Sequence, residues 1–194
     1  MVDMITLYNP TAAQSKGSDV DSIYAPRFDT LQGKVLGFID NAKPNFNHLI
    51  DDIAELMVAR HGIARVIKRQ KRAASVPAPE AVYAEMVEHC DLVITGSGDW
   101  GSCTSWSIHD SVEMSKRGKA ALTICSTAFK SLGHAQASAL GKKDLPLVIM
   151  PHPFGLRKRE EVRAIAEKCV DEIVKLMSKD GNQWAPKHLQ RAMI

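Results

Sequence analysis

The chain alternates short apolar runs with longer segments in which apolar residues recur every three or four positions. From residue 35 the alternation is regular. "KVLGFID" (34–40), "ARVIKRQ" (64–70), "DLVITGSG" (91–98), "AALTICST" (120–127) and "LPLVIMP" (145–151) read as buried strands. Between them the period lengthens to that of a helix. Pro44 suits a helix start, where a missing N–H costs little. Phe46, Leu49, Ile50, Ile53, Ala54 and Met57 then line one face. Further helices are expected over 79–90, over 104–118 with Gly118 as the stop, and over 128–142. The last helix, 158–178, carries the clearest stripe: Val162, Ile165, Ala166, Cys169, Val170, Ile173, Val174 and Met177.

Five strand–helix units in succession imply a parallel sheet covered on both faces. Right-handed crossovers make a single doubly wound, five-stranded sheet, flavodoxin-like or Rossmann-like, the expected α/β fold over 35–179. "MITLYNP" (4–10) reads as a short strand and 11–34 lacks a period, so 1–34 is an N-terminal strand and arm. Residues 180–194 form a C-terminal tail, placed to cover a site or contact a partner. Met193 and Ile194 would suit a homodimer or complex interface.

Composition narrows the class. A chain of 194 residues, 45% apolar and 24% charged, suits one soluble domain. A net charge of +3 gives no argument for nucleic acid. The basic clusters "KRQKRAA" (68–74) and "LRKREE" (156–161) read as solvated faces. No apolar run reaches the roughly 18 residues of a membrane span, and the N-terminus lacks the pattern of a signal peptide. Cys90, Cys103, Cys125 and Cys169 form no CxxC pair, which fits reduced thiols in the cytoplasm.

Ligands of such sheets sit outside the C-terminal strand ends. Those ends carry Asp40, Asn41 and Lys43, then Gly96 to Cys103, then Ser126 and Thr127, then Pro151 to Gly155. The edge is rich in polar and reactive groups. Cys103 is expected at or near the N-cap of the third helix, where free N–H groups and the helix dipole favour a thiolate. The N–H groups near Ser102, Cys103 and Thr104 would cradle an anion or oxyanion. His152, between two prolines, is placed to move a proton, and Asp99 is the other candidate for that role. Cys125 is expected to turn into the core, as are Cys90 and Cys169. His109 and Asp110, on the third helix, divide evenly between core and site. "GSGDWG" is neither a dinucleotide fingerprint nor a P-loop, and no ligand spacing signals a metal, so no cofactor is expected.

"WGSCTSW", followed at matching distances by "LTICST" and "MPHPFG" and preceded by "GFIDNAKPN", resembles the UGSC family of (seleno)proteins over about residues 34–156. More distantly it is similar to the selenoprotein B subunits of glycine and betaine reductase. The resemblance places the family's selenocysteine at Trp100 and its resolving cysteine at Cys103. It matches the intervening Gly and Ser to Gly101 and Ser102, and Pro-His-Pro to Pro151, His152 and Pro153. A Trp cannot enter a selenol–thiol cycle, so reductase chemistry is not implied for this chain.

The expected function is a cysteine-dependent enzyme that cleaves or forms a carbon–heteroatom bond beside a carbonyl or carboxylate of a small molecule. Lyase or hydrolase chemistry fits best. Cys103, His152 and Asp99 would carry it. Gly98, Trp100, Gly101, Ser102, Thr104, Asp40, Asn41, Lys43, Ser126 and Thr127 would line the substrate. One alternative is proton transfer alpha to a carboxylate, as in the Asp/Glu racemase and arylmalonate decarboxylase superfamily, which needs Cys125 to oppose Cys103. Another is a non-catalytic or partner-dependent subunit of a reductase-like complex.

Overall fold

The computed structural model describes residues 28–179. Five strands and five helices alternate: β1 (Val35–Asp40), α1 (Phe46–His61), β2 (Arg65–Gln70), α2 (Glu80–His89), β3 (Leu92–Gly98), α3 (Gly101–Lys116), β4 (Ala120–Ser126), α4 (Lys130–Ala139), β5 (Leu147–Met150) and α5 (Arg159–Met177). The strands are all parallel, in the order β2-β1-β3-β4-β5. That is the flavodoxin-like winding, with its topological switch between β1 and β3. The strand expected at 4–10, most of the arm and the tail from 180 lie outside the described residues. Phe28, at the end of the arm, bridges to Ser178 beside α5, and Leu31 is buried in the core.

One face of the sheet is apolar across its centre. Leu36, Phe38, Leu92, Ile94, Leu122 and Ile124 meet the stripes of α1 and α5 in one continuous cluster. Each such side chain contributes about 1.5–3 kcal/mol on burial. The other face, under α2, α3 and α4, is mixed. Two smaller apolar clusters flank a row of hydroxyls. Thr95 Oγ1 donates to the Ser107 carbonyl at 2.8 Å, Ser111 Oγ donates to the Leu122 carbonyl at 3.0 Å, and Ser111 Oγ lies 2.8 Å from Thr123 Oγ1. These short, satisfied side chains let α3 lie close on β3 and β4 and lock its register. The register sets where the first turn of α3 sits above the sheet edge.

Two expectations change here. Lys71, expected on a solvated face, is buried. Its N–H donates to the Asp40 carbonyl at 2.6 Å, which turns the chain inward after β2. Its Nζ then reaches Asp110 Oδ2 at 2.7 Å and the Val76 carbonyl at 2.7 Å. Tyr83 and the Ala78 N–H donate to Asp110 Oδ1 at 2.5 and 3.0 Å. Burial and this bond push the Tyr83 phenol above its usual range. Asp110 therefore belongs to the core. Second, α3 starts at Gly101, three residues before the sequence pattern suggested. Smaller shifts occur elsewhere: a 3-10 turn (Thr127–Phe129) precedes α4, and β5 is shorter than expected. No described helix is long and apolar enough to cross a membrane.

Candidate functional site

The site is built where β3, β4 and β5 end. Opposite β4, Thr95 pairs with Thr123 and Gly98 with Cys125, so β3 fits one extra residue into this stretch. Such a bulge re-aims the chain at a strand end. The Gly96–Ser97 peptide within it is cis. Glycine is required twice here. A Cβ on Gly96 would lie 2.6 Å from the Phe46 ring, and one on Gly98 would lie 2.7 Å from Cys125 Cβ. Asp99 emerges next, in the gap before α3.

Asp99 is 7% exposed and spends both oxygens on the chain after β5. Oδ2 accepts the N–H groups of Phe154 and Gly155 at 3.1 and 3.2 Å. Oδ1 lies 2.9 Å from His152 Nδ1. The partners of Oδ2 are donors, and the carboxylate holds His152 with Nδ1 protonated. The buried Ser126 Oγ lies 3.1 Å from the same nitrogen. Phe129 packs edge-on against the imidazole, with centroids 5.7 Å apart. The ring is 34% exposed, and Nε2 is the nitrogen left for a ligand. A Ser-His-Asp triad needs Ser and Asp on opposite ring nitrogens. Here both share Nδ1, so Ser126 is no triad nucleophile.

Asn45 ties the neighbouring loops. It adopts a left-handed φ of 67°, which Asn tolerates well. Its Nδ2 contacts the carbonyls of Phe154, Gly155 and Arg157 at 3.3, 3.3 and 2.8 Å. The loop after β1 thereby clamps the loop that carries His152. Arg157 adds a bond from Nε to the Pro153 carbonyl at 3.0 Å.

Cys103 is the third residue of α3, not its cap, and its thiol is fully buried. Sγ accepts the Trp100 N–H at 3.1 Å and faces the Trp100 carbonyl at 3.2 Å. Thr104 Oγ1 donates to the same carbonyl at 2.7 Å. Both side chains secure the first turn. Gly101 and Ser102 lie at its surface, with Thr127 exposed on the next loop. All four cysteines are free thiols. Cys125 sits inside the cluster between α3 and α4, where burial pushes its thiol up to about 11. Burial likewise raises Cys90 to about 11 and Cys169 to about 12.

The loop after β1 differs from expectation. Asp40 is buried and accepts from the Ala42 N–H and from Gln70 Nε2, and its burial raises its carboxyl above the usual range. Asn41 is buried as well and donates to the Ser97 carbonyl at 2.8 Å and to Ser107 Oγ at 3.2 Å. Both are spent inside the protein, and of the three residues expected to line the substrate here only Lys43 stays half-exposed. Among the described residues, no three His, Cys, Asp or Glu side chains gather as a metal-ligand set. The expected residues thus divide in two. Asp99, His152, Ser126 and the start of α3 come together, while Asp40 and Asn41 serve the fold.

The sequence reading missed Asn45, Phe129 and Lys71. Asn45 alone left a trace, since an Asn after a proline before an apolar stripe is a candidate for the left-handed region. A search of curated proteins found no match. The model of the UGSC family matches residues 6–179, well past the motifs at both ends. With nearly the whole chain matched, the protein belongs to the UGSC family.

Proposed function

We propose that this protein is an enzyme of small carbonyl or carboxylate compounds in which His152 moves a proton at the substrate. The observation that carries this reading is the Asp99–His152 contact of 2.9 Å, made through Nδ1 of a ring whose side chain is 34% exposed. A neutral imidazole fixed in this tautomer is a base at Nε2, and after accepting a proton it is an acid there. Asp99 is a positioning residue, since both of its oxygens are engaged. The N–H groups of the first turn of α3, beside Ser102, would take the substrate carboxylate or a developing oxyanion. Bond cleavage next to a carbonyl, of the lyase or hydrolase type, uses this pair of groups. The free thiols fit a reducing, cytoplasmic setting.

A second reading keeps Cys103 as the nucleophile, on its place in the same first turn. It requires that turn to open, because Sγ is covered. Proton transfer between two cysteines has less support, since Cys125 lies in an apolar cluster.

The test is turnover of a panel of small 2-keto, 2-hydroxy and β-substituted acids. His152→Gln should cut the rate on any substrate found by about 10²–10⁴. Asp99→Asn should lower the rate too and shift the His152 tautomer seen by nitrogen NMR. Full turnover in His152→Gln would sink the proposal. Loss in Cys103→Ser with His152→Gln unaffected would favour the second reading.

A further inference from the structure

Three loops meet around His152, and each brings an apolar side chain. Trp100 follows Asp99 in the β3–α3 connection and is 64% exposed. Leu156 follows Gly155, whose N–H bonds Asp99, and is 87% exposed. Phe129 lies against the His152 ring itself. Among the described residues only one other large apolar side chain, Val58, is exposed, so two of the three sit on the chain next to residues of the Asp99 network. A single exposed Leu needs no explanation, but an exposed Trp next to Asp99 and an exposed Leu next to Gly155, whose N–H bonds Asp99, do. Apolar walls around a few convergent polar groups are the chemistry of a ligand site.

We infer that Trp100, Phe129 and Leu156 form the apolar half of the site, so that the substrate is a carbonyl or carboxylate compound bearing a bulky apolar group such as an aryl ring. The inference rests on the proton-transfer reading of His152. A protein partner over this patch would also bury Nε2 of His152, which then needs a polar partner of its own. A small amphipathic molecule satisfies both halves together. Its polar end reaches Nε2 and the first turn of α3, while its apolar end covers Trp100 and Leu156.

The matched probes are pyruvate and phenylpyruvate, which share a head group and differ by the ring. Affinity is measured by calorimetry on the full chain, and placement by the His152 ring and Trp indole resonances. The expected result is phenylpyruvate binding roughly tenfold tighter than pyruvate. Both acids should shift His152. Trp100→Ala should abolish the preference for phenylpyruvate. Leu156→Ser, at a side chain that packs little, should reduce the preference less and guards against a folding defect in the first variant. Equal affinities, with His152 shifted by both acids and Trp100→Ala silent, overturn the apolar half and leave the His152 reading standing. Binding that never moves His152, or no binding of either acid, overturns both. A dimer in the native protein that Trp100→Ala dissociates assigns the patch to a second copy and overturns the inference.

Discussion

At the crevice between β1 and β3, protein atoms occupy the place where sheets of this order often hold a ligand. Phe46 presses on Gly96, and Asn41 spans to Ser97 and Ser107. Across the ends of β3, β4 and β5 the same edge stays open, with His152 partly exposed and Ser102 and Thr127 at the surface. Both halves have polar residues after their strands. They differ in what those residues find. Asp40 and Asn41 meet backbone groups that need partners, whereas among the described residues the His152 ring is hydrogen-bonded through Nδ1 alone. A topological switch marks where the loops part. Whether a ligand fits there depends on how the first helix packs, and here the ring of Phe46 takes the room.

The largest test of this contrast lies beneath the closed half. Asp110→Ala would leave Lys71 buried without its carboxylate and should cost about 3–5 kcal/mol in denaturant unfolding. A loss below about 1 kcal/mol would mean that the loop after β2 detaches easily and that this half of the edge is not closed. Gly96→Ala follows. Its Cβ would meet the fully buried Phe46 and, at 3.1 Å, the Ile124 carbonyl, so a loss of about 1–3 kcal/mol is expected.

The buried thiols give a pH test beneath the open half. Burial raises Cys125 to about 11 in the folded protein, against about 8.5 in an unfolded chain. Below about pH 8.5 the thiol is neutral in both states and its contribution is whole. Between there and about pH 11 only the unfolded chain loses the proton, so stability falls. Each such thiol adds a slope of at most about 1.4 kcal/mol per pH unit. Cys125→Ala should therefore unfold less steeply with rising pH than the native chain, and identical slopes would contradict the burial.

Smaller effects fall on the open half. Cys103→Ala removes the acceptor of the Trp100 N–H and should cost about 1 kcal/mol, while Cys103→Ser keeps an acceptor and should cost less. Equal losses would show that the cap bond contributes little. Gly101→Ala has open space around its new Cβ and should stabilise α3 by about 0.4–1 kcal/mol. Destabilisation there would mean that the first turn of α3 is more crowded than Gly96's opposite fate implies.

Much of the fold was legible along the chain. The stripes of α1 and α5 predict their buried faces, and the five apolar runs predict the strands, because each pattern follows from the local repeat of its element. Boundaries were less legible. The start of α3 depends on Trp100, Cys103 and Thr104 closing a turn by side-chain bonds, which hydrophobic period does not report. Lys71 looked solvated because a basic run carries no sign that a carboxylate waits 39 residues later.

The sequence by itself determined the element order, the parallel sheet and the edge where polar and reactive groups collect, since these follow from periodicity and the handedness of crossovers. Tertiary structure alone decided which of those groups face outward. Asp99 and His152 stand 53 residues apart and become one unit only when β3 and β5 end at the same edge, on either side of β4. Asp40, expected to line the substrate, and Cys103, expected to attack it, each found an internal partner on packing, because a polar side chain turns toward whichever hydrogen-bonding group the folded chain brings within reach.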